Sequence, residues 1–78
     1  MAWTDKPSDA QLAAWYNMTK WVLDREDYLR ARAWIMDHFT KKQISDELGR
    51  IRDLVIEKRL RTKEQVFGSD LWKDYKHE

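Results

Sequence analysis

Residues 40–60 have the sequence TKKQISDELGRIRDLVIEKRL, which contains the most complete helix signal of the chain. Thr40 can accept a hydrogen bond from the backbone N–H of Gln43, whose side chain can reach back, so the two form a capping box. The apolar residues that follow recur at helical spacing and share one face: Ile44, Leu48, Ile51, Leu54 and Val55. The pattern predicts a helix over about 41–60 with one buried face.

Similar helix starts divide the rest of the chain. Helix-capping residues precede three further segments: Ser8 with Gln11, Asp24, and Thr62 with Gln65. They predict helices over about 9–22, about 25–38 and about 63–75. Gly68 is expected to end or kink the last of these, with Ser69 capping one more turn.

The apolar stripes of these segments predict how they pack. Helix 1 offers Leu12, Trp15, Tyr16, Thr19, Val22 and Leu23. Helix 2 offers Tyr28, Leu29, Ile35, Met36 and Phe39. Three such stripes with short connections predict an all-α, three-helix bundle in a single domain over 1–78. The last segment is expected to fold back onto one end through Phe67, Leu71, Trp72 and Tyr75. Residues 1–7 and 76–78 are expected to be flexible tails.

Composition narrows the functional classes. Charged residues make up 37% of the chain, which has two Gly, one Pro and no Cys. A small secreted domain usually needs disulfides, so a reducing, cytoplasmic setting is expected. The sequence has no apolar run of membrane-spanning length and no secretory signal at its N-terminus, so no membrane partner is expected. The formal net charge of +1 argues against a strongly electrostatic partner but allows a local patch.

The sequence shows no nucleophile–base arrangement and no residue spacing typical of a zinc site. His38 and His77 are the two histidines, and without Cys they cannot form a zinc site of ordinary composition. The two Gly are too far apart to form a phosphate-binding loop. The chain also has little room to enclose a substrate. We therefore expect a non-enzymatic protein with no metal, no cofactor and no small-molecule substrate.

Two tryptophans lie outside the predicted core. Helical geometry places Trp21 opposite the helix 1 stripe, on a back face with Met18, and places Trp34 away from the core face of helix 2. Arg25 and Arg30 each lie four residues from one of these rings, within reach of a cation–π contact. Exposed Trp is enriched in contact surfaces, so these residues predict a surface for a protein partner or a homodimer. Alternatively, the C-terminal segment or Trp3 covers the two rings.

A second group of candidates is basic. Cations cluster in and just after helix 3: Lys41, Lys42, Arg50, Arg52, Lys58, Arg59, Arg61 and Lys63. They could contact nucleic-acid phosphates. Alternatively, they form a solvated face supported by i,i+4 ion pairs, Asp46 with Arg50 and Glu57 with Arg61.

Residues 40–60 also resemble a helix-turn-helix segment. The resemblance implies a small residue at Ser45, a turn at Gly49 and a buried aliphatic residue at Val55. It also implies a recognition helix that begins near Arg52 and enters the DNA major groove. The contacts would come from Arg50, Arg52, Lys58 and Arg59. The unbroken apolar stripe instead predicts one continuous helix, so the two interpretations differ at Gly49.

The overall outline is similar to small helical proteins encoded by phages and prophages. The helix openings at 8–11 and 40–43 carry this resemblance, which implies binding to a host or replication protein. Together, these observations favour a non-catalytic protein-interaction module. The alternatives are a nucleic-acid-binding module that uses the basic side of helix 3 and an accessory subunit of a larger assembly.

Overall fold

The computed structural model describes residues 4–76, without the side chain of Lys76. The helices are α1 (Asp9–Thr19), α2 (Arg25–His38), α3 (Lys41–Ile56), α4 (Lys63–Val66) and α5 (Lys73–Lys76), with a 3₁₀ turn at Asp70–Trp72. These described residues contain no strand. The predicted all-α bundle with a short C-terminal helical segment is confirmed. Within residues 4–76, no helix has both the length and the apolar character needed to cross a bilayer.

The predicted caps form at the three main helix starts. The Ser8 hydroxyl accepts from the Gln11 N–H at 3.2 Å, and Thr40 does the same for Gln43. The Asp24 carboxylate accepts from the Asp27 N–H at 2.8 Å. Each cap satisfies a backbone donor that a helix start otherwise leaves unpaired, which is why these three starts were predictable from short motifs.

The N-terminal residues 5–7 pack against the bundle. The Asp5 carbonyl accepts from the Lys41 N–H at 2.7 Å, and Lys6 Nζ donates to the Met36 carbonyl at 3.0 Å. Pro7 is buried. The predicted flexibility of residues 1–7 and 76–78 stays a prediction, and residues 1–3, including Trp3, and His77 and Glu78 lie outside the described part.

The core centres on Trp72, which is fully buried. Its ring lies 4.9 Å from the Phe39 ring, 4.8 Å from the Phe67 ring and 6.0 Å from the Trp15 ring, centroid to centroid. Trp72 follows Gly68 in the returning C-terminal segment, so this segment completes the core. The predicted return of that segment is therefore confirmed.

Three residues predicted for the core lie at the surface. Tyr16, Leu29 and Val55 are 41%, 48% and 41% exposed, respectively. Ala31 is fully buried instead, although it is not one of the large apolar residues that define the predicted stripe of helix 2. Tyr16 and Leu29 line a groove that is described below, and Val55 lies one residue before the end of α3.

Two helices end earlier than their apolar stripes predict. The end of α1 is at Thr19, because the Thr19 carbonyl accepts from the N–H groups of Val22 and Leu23 and closes a turn. The end of α3 is at Ile56, where the next residues form a Schellman motif. In this motif Lys58 has a φ of 57° and its N–H bonds to the Val55 carbonyl.

A buried carboxylate connects α3 to the C-terminal segment. Glu47 is 3% exposed, and its Oε1 accepts from Trp72 Nε1 at 2.7 Å and from Arg50 Nη2 at 2.8 Å. Arg50 also donates to the carbonyls of Gln65 and Val66, at 2.7 and 2.6 Å. These bonds hold α4 and Trp72 against the middle of α3.

We expect Lys58→Gly to raise the free energy of unfolding by about 0.5–1 kcal/mol, because glycine adopts the left-handed conformation without a Cβ clash. Lys58→Ala is the matched control, since it removes the charge but keeps the Cβ. Urea unfolding followed by tryptophan fluorescence measures both. Equal stabilities of the two variants would show that residue 58 is unstrained.

We expect Glu47→Gln to lower the free energy of unfolding by about 2 kcal/mol, because it removes a charged acceptor from the Arg50 guanidinium in a mostly buried site. The control is Asp46→Asn, which alters a neighbouring exposed carboxylate and should change stability by less than about 0.5 kcal/mol. The same urea titration compares them. Indistinguishable midpoints would mean that the buried carboxylate adds nothing specific.

Candidate functional site

The turn between α1 and α2 presents Trp21 to solvent. Trp21 is 82% exposed, more than any other large apolar residue among those described. The backbone bonds from Val22 and Leu23 to Thr19 hold this turn, and the Leu23 side chain is buried in the core. Periodicity correctly placed Trp21 off the core, but it lies at the tip of a turn rather than on the back of a helix.

A groove of about 480 Å³ lies beside this turn. We call it the turn groove, and its lining residues are Tyr16, Lys20, Leu23, Asp24, Arg25, Tyr28 and Leu29. The Tyr16 and Tyr28 rings meet edge to face at 4.6 Å, and Tyr28 stacks at 6.0 Å on the buried Trp15. Aromatic packing therefore ties the groove directly to the core.

Trp21 adjoins the turn groove through Lys20. The Lys20 Nζ atom lies 5.6 Å from the Trp21 ring centroid, within cation–π distance, while Lys20 itself lines the groove. The sequence predicted this role for Arg25, which lines the groove instead. Of the predicted interaction residues, the structure thus brings Trp21 and Arg25 to this site.

Trp34 occupies a different place in the fold. It is half-buried, its ring stacks on His38 at 3.7 Å, and it meets the Tyr75 ring at 5.5 Å. The returning C-terminal segment covers it, so the expectation of a freely exposed Trp34 is wrong and the alternative of a covered ring is right. Met18 is likewise half-buried against the core rather than exposed.

A second cleft, with a volume of about 360 Å³, lies beside the rings of Trp34, His38 and Tyr75. It is lined by Arg30, Ala33, Trp34, Asp37, His38 and Tyr75. The Arg30 guanidinium lies 5.8 Å from the Tyr75 ring centroid, a pairing the sequence assigned to Trp34. This cleft shares no lining residue with the turn groove, so the two predicted tryptophans do not form one patch.

The predicted basic patch is divided by the fold. Lys41 and Lys42 begin α3, whereas Lys58, Arg59, Arg61 and Lys63 follow its end. A 16-residue helix is about 24 Å long, which separates the two groups. Several of these cations are close to carboxylates in exposed pairs: Lys42 with Asp46, Arg52 with Asp53, Arg59 with Glu57, and Lys63 with Asp27.

Arg50 does not belong to the predicted basic surface. Its guanidinium is engaged by Glu47 and by two carbonyls of the C-terminal segment, so it is not directed to a partner. The expected pairs Asp46–Arg50 and Glu57–Arg61 are also replaced, by Lys42–Asp46 and Arg59–Glu57. At Gly49, where the helix-turn-helix resemblance implies a turn, α3 is continuous.

Sequence reasoning missed most of the turn groove. Tyr16, Tyr28 and Leu29 were assigned to the core, and Lys20 was assigned no role. The groove lies beside the turn that follows the early end of α1. The backbone bonds to Thr19 that end this helix have no local sequence motif. The available signal was a surplus of large apolar residues near the α1–α2 connection.

Within the described part of the chain, no group of three or more His, Asp or Glu side chains could hold a metal ion. The Nδ1 atom of His38 lies 3.3 Å from the Trp34 carbonyl.

Comparison with protein-family models, with curated proteins and with solved structures finds no match.

We expect Trp21→Ala to change the free energy of unfolding by less than about 0.5 kcal/mol, because the ring has few contacts to lose. Trp72→Ala is the contrasting variant and should cost about 3–5 kcal/mol or prevent folding. Thermal denaturation followed by far-UV circular dichroism measures both. A large loss of stability in Trp21→Ala would place this ring in the core in solution.

Proposed function

We propose that this chain is a non-catalytic interaction module that binds a protein partner through the turn groove and Trp21. The observation that carries the proposal is the 82% exposure of Trp21 beside an aromatic groove. Trp, Tyr and Arg dominate the energetics of protein interfaces, and all three surround this site. The absence of Cys supports the further proposal of a cytoplasmic setting.

The site combines features that favour protein binding over a solvated surface. Exposed Leu29 and Tyr16 widen the apolar area beside Trp21, while Lys20 and Arg25 provide a charged rim. An apolar centre with polar residues around it is the usual arrangement of an interface. The turn is fixed by backbone bonds, so binding there would require little ordering of the chain.

The test compares wild type with Trp21→Ala and Leu29→Ser in quantitative affinity capture from source-cell lysate, at low salt and at about 0.5 M salt. We expect the specific partner to survive high salt, because burial of apolar surface is not screened. Each variant should weaken its binding by roughly 2 kcal/mol, or about thirtyfold. Arg30→Ala, in the other cleft, is the control and should bind normally.

Sedimentation velocity separates self-association from binding to another protein. A salt-insensitive dimer of the wild type that Trp21→Ala dissociates would identify the partner as a second copy. Capture that is unchanged in both groove variants, with a wild type that remains monomeric, would refute the proposed function.

The second candidate is nucleic-acid binding, and one observation favours it. Lys58, Arg59, Arg61 and Lys63 are all exposed within six consecutive residues. Sedimentation with a mixed-sequence DNA duplex at increasing salt tests this candidate, because phosphate contacts weaken steeply as salt rises. A salt-sensitive complex that Lys58→Ala and Arg61→Ala weaken would favour it over the groove.

A further inference from the structure

The lining of the turn groove carries more positive than negative charge. Three of its seven lining residues are charged: Lys20, Asp24 and Arg25. The Asp24 carboxylate already accepts the Asp27 N–H at 2.8 Å and caps α2. The Arg25 guanidinium has no hydrogen bond or ion pair within residues 4–76, and Lys20 Nζ lies over the Trp21 ring. The lining therefore holds two cations against one carboxylate, and neither cation has an ion pair within residues 4–76.

The apolar floor of the same groove is rigid. Tyr28 contacts both Tyr16 and the fully buried Trp15 through its ring, and Leu23 is 6% exposed. A volume of about 480 Å³ lies within the roughly 300–1,000 Å³ range of ligand-binding pockets. Such a floor accepts bulky apolar side chains, whereas the Lys20 and Arg25 rim attracts carboxylates.

From this charge complementarity we infer that the turn groove recognises an acidic amphipathic segment of a partner protein. A bulky apolar side chain of the segment inserts beside Tyr28 and Leu29, and flanking Asp or Glu residues pair with Lys20 and Arg25. The inference rests on the proposed protein-binding function and specifies the chemistry of the partner. Trp21 would cover the inserted side chain from the edge of the turn.

The test selects random 16-residue peptides from a display library against the wild-type chain, and then measures the affinities of synthetic copies by fluorescence anisotropy. We expect the selected peptides to combine Asp or Glu with Leu, Phe or Trp. They should bind Lys20→Glu/Arg25→Glu at least about tenfold more weakly, since reversed charges repel carboxylates. Selection against that variant should enrich Lys and Arg instead.

The matched control is Lys42→Glu/Arg52→Glu, at exposed positions outside the groove. Both double variants shift the formal net charge from +1 to −3, because each exchange of a cation for Glu changes it by two units. The control should bind the selected peptides within about twofold of wild type. Equal losses in both variants would indicate a general charge effect and overturn the inference.

The remaining outcomes separate the inference from the proposed function. Peptides that need Leu29 and Trp21 but lack acidic enrichment, and that bind the charge-reversed variant normally, overturn the inference and leave the proposed function intact. If no selected peptide depends on Trp21 or Leu29, and capture from lysate is also independent of them, both fail. Wild-type dimers that occupy the groove and exclude every peptide would assign it to a second copy and overturn the inference.

Discussion

The rest of the structure depends on the hydrogen bonds that the Glu47 carboxylate accepts from Trp72 and Arg50. Glu47 is 3% exposed, yet it receives hydrogen bonds from the Trp72 indole and from the Arg50 guanidinium. A buried charge is tolerated only when such partners compensate for its lost hydration. Trp72 fills the centre of the core, so the position of the C-terminal segment is fixed by a polar contact as well as by apolar packing. That segment in turn covers Trp34 and forms one wall of the second cleft.

The parts of the fold that could be predicted from sequence are those determined by neighbours in the chain. The caps at Ser8, Asp24 and Thr40 are local, and α2 has the bounds that its capping residue and stripe predict. The end of α3 could not be predicted, because Lys58 occupies the left-handed position where glycine is the usual signal. The role of Glu47 was hidden for a similar reason, since its partner Trp72 lies 25 residues away.

The candidate site shows the same division. The exposure of Trp21 followed from periodicity even though α1 ends before it, because both a helix back and a turn tip point away from the core. Trp34 has an equally favourable pattern, but Tyr75 approaches it from a distant part of the chain. The sequence assigned Arg50 to a basic surface, but in the structure its guanidinium donates to the carbonyls of Gln65 and Val66. For Trp34 and Arg50, a tertiary contact with the C-terminal segment decided the outcome.

These contacts also explain why the turn groove is the strongest candidate for function. The C-terminal segment uses Trp72, Phe67 and Tyr75 to close the core, whereas the turn at Trp21 is closed by two backbone bonds to Thr19. A backbone-closed turn needs no bulky side chain at its tip, and a small polar residue would satisfy it equally well. Stability therefore does not account for an indole at position 21. The proposed binding role accounts both for that residue and for the cations Lys20 and Arg25 in the lining of the groove.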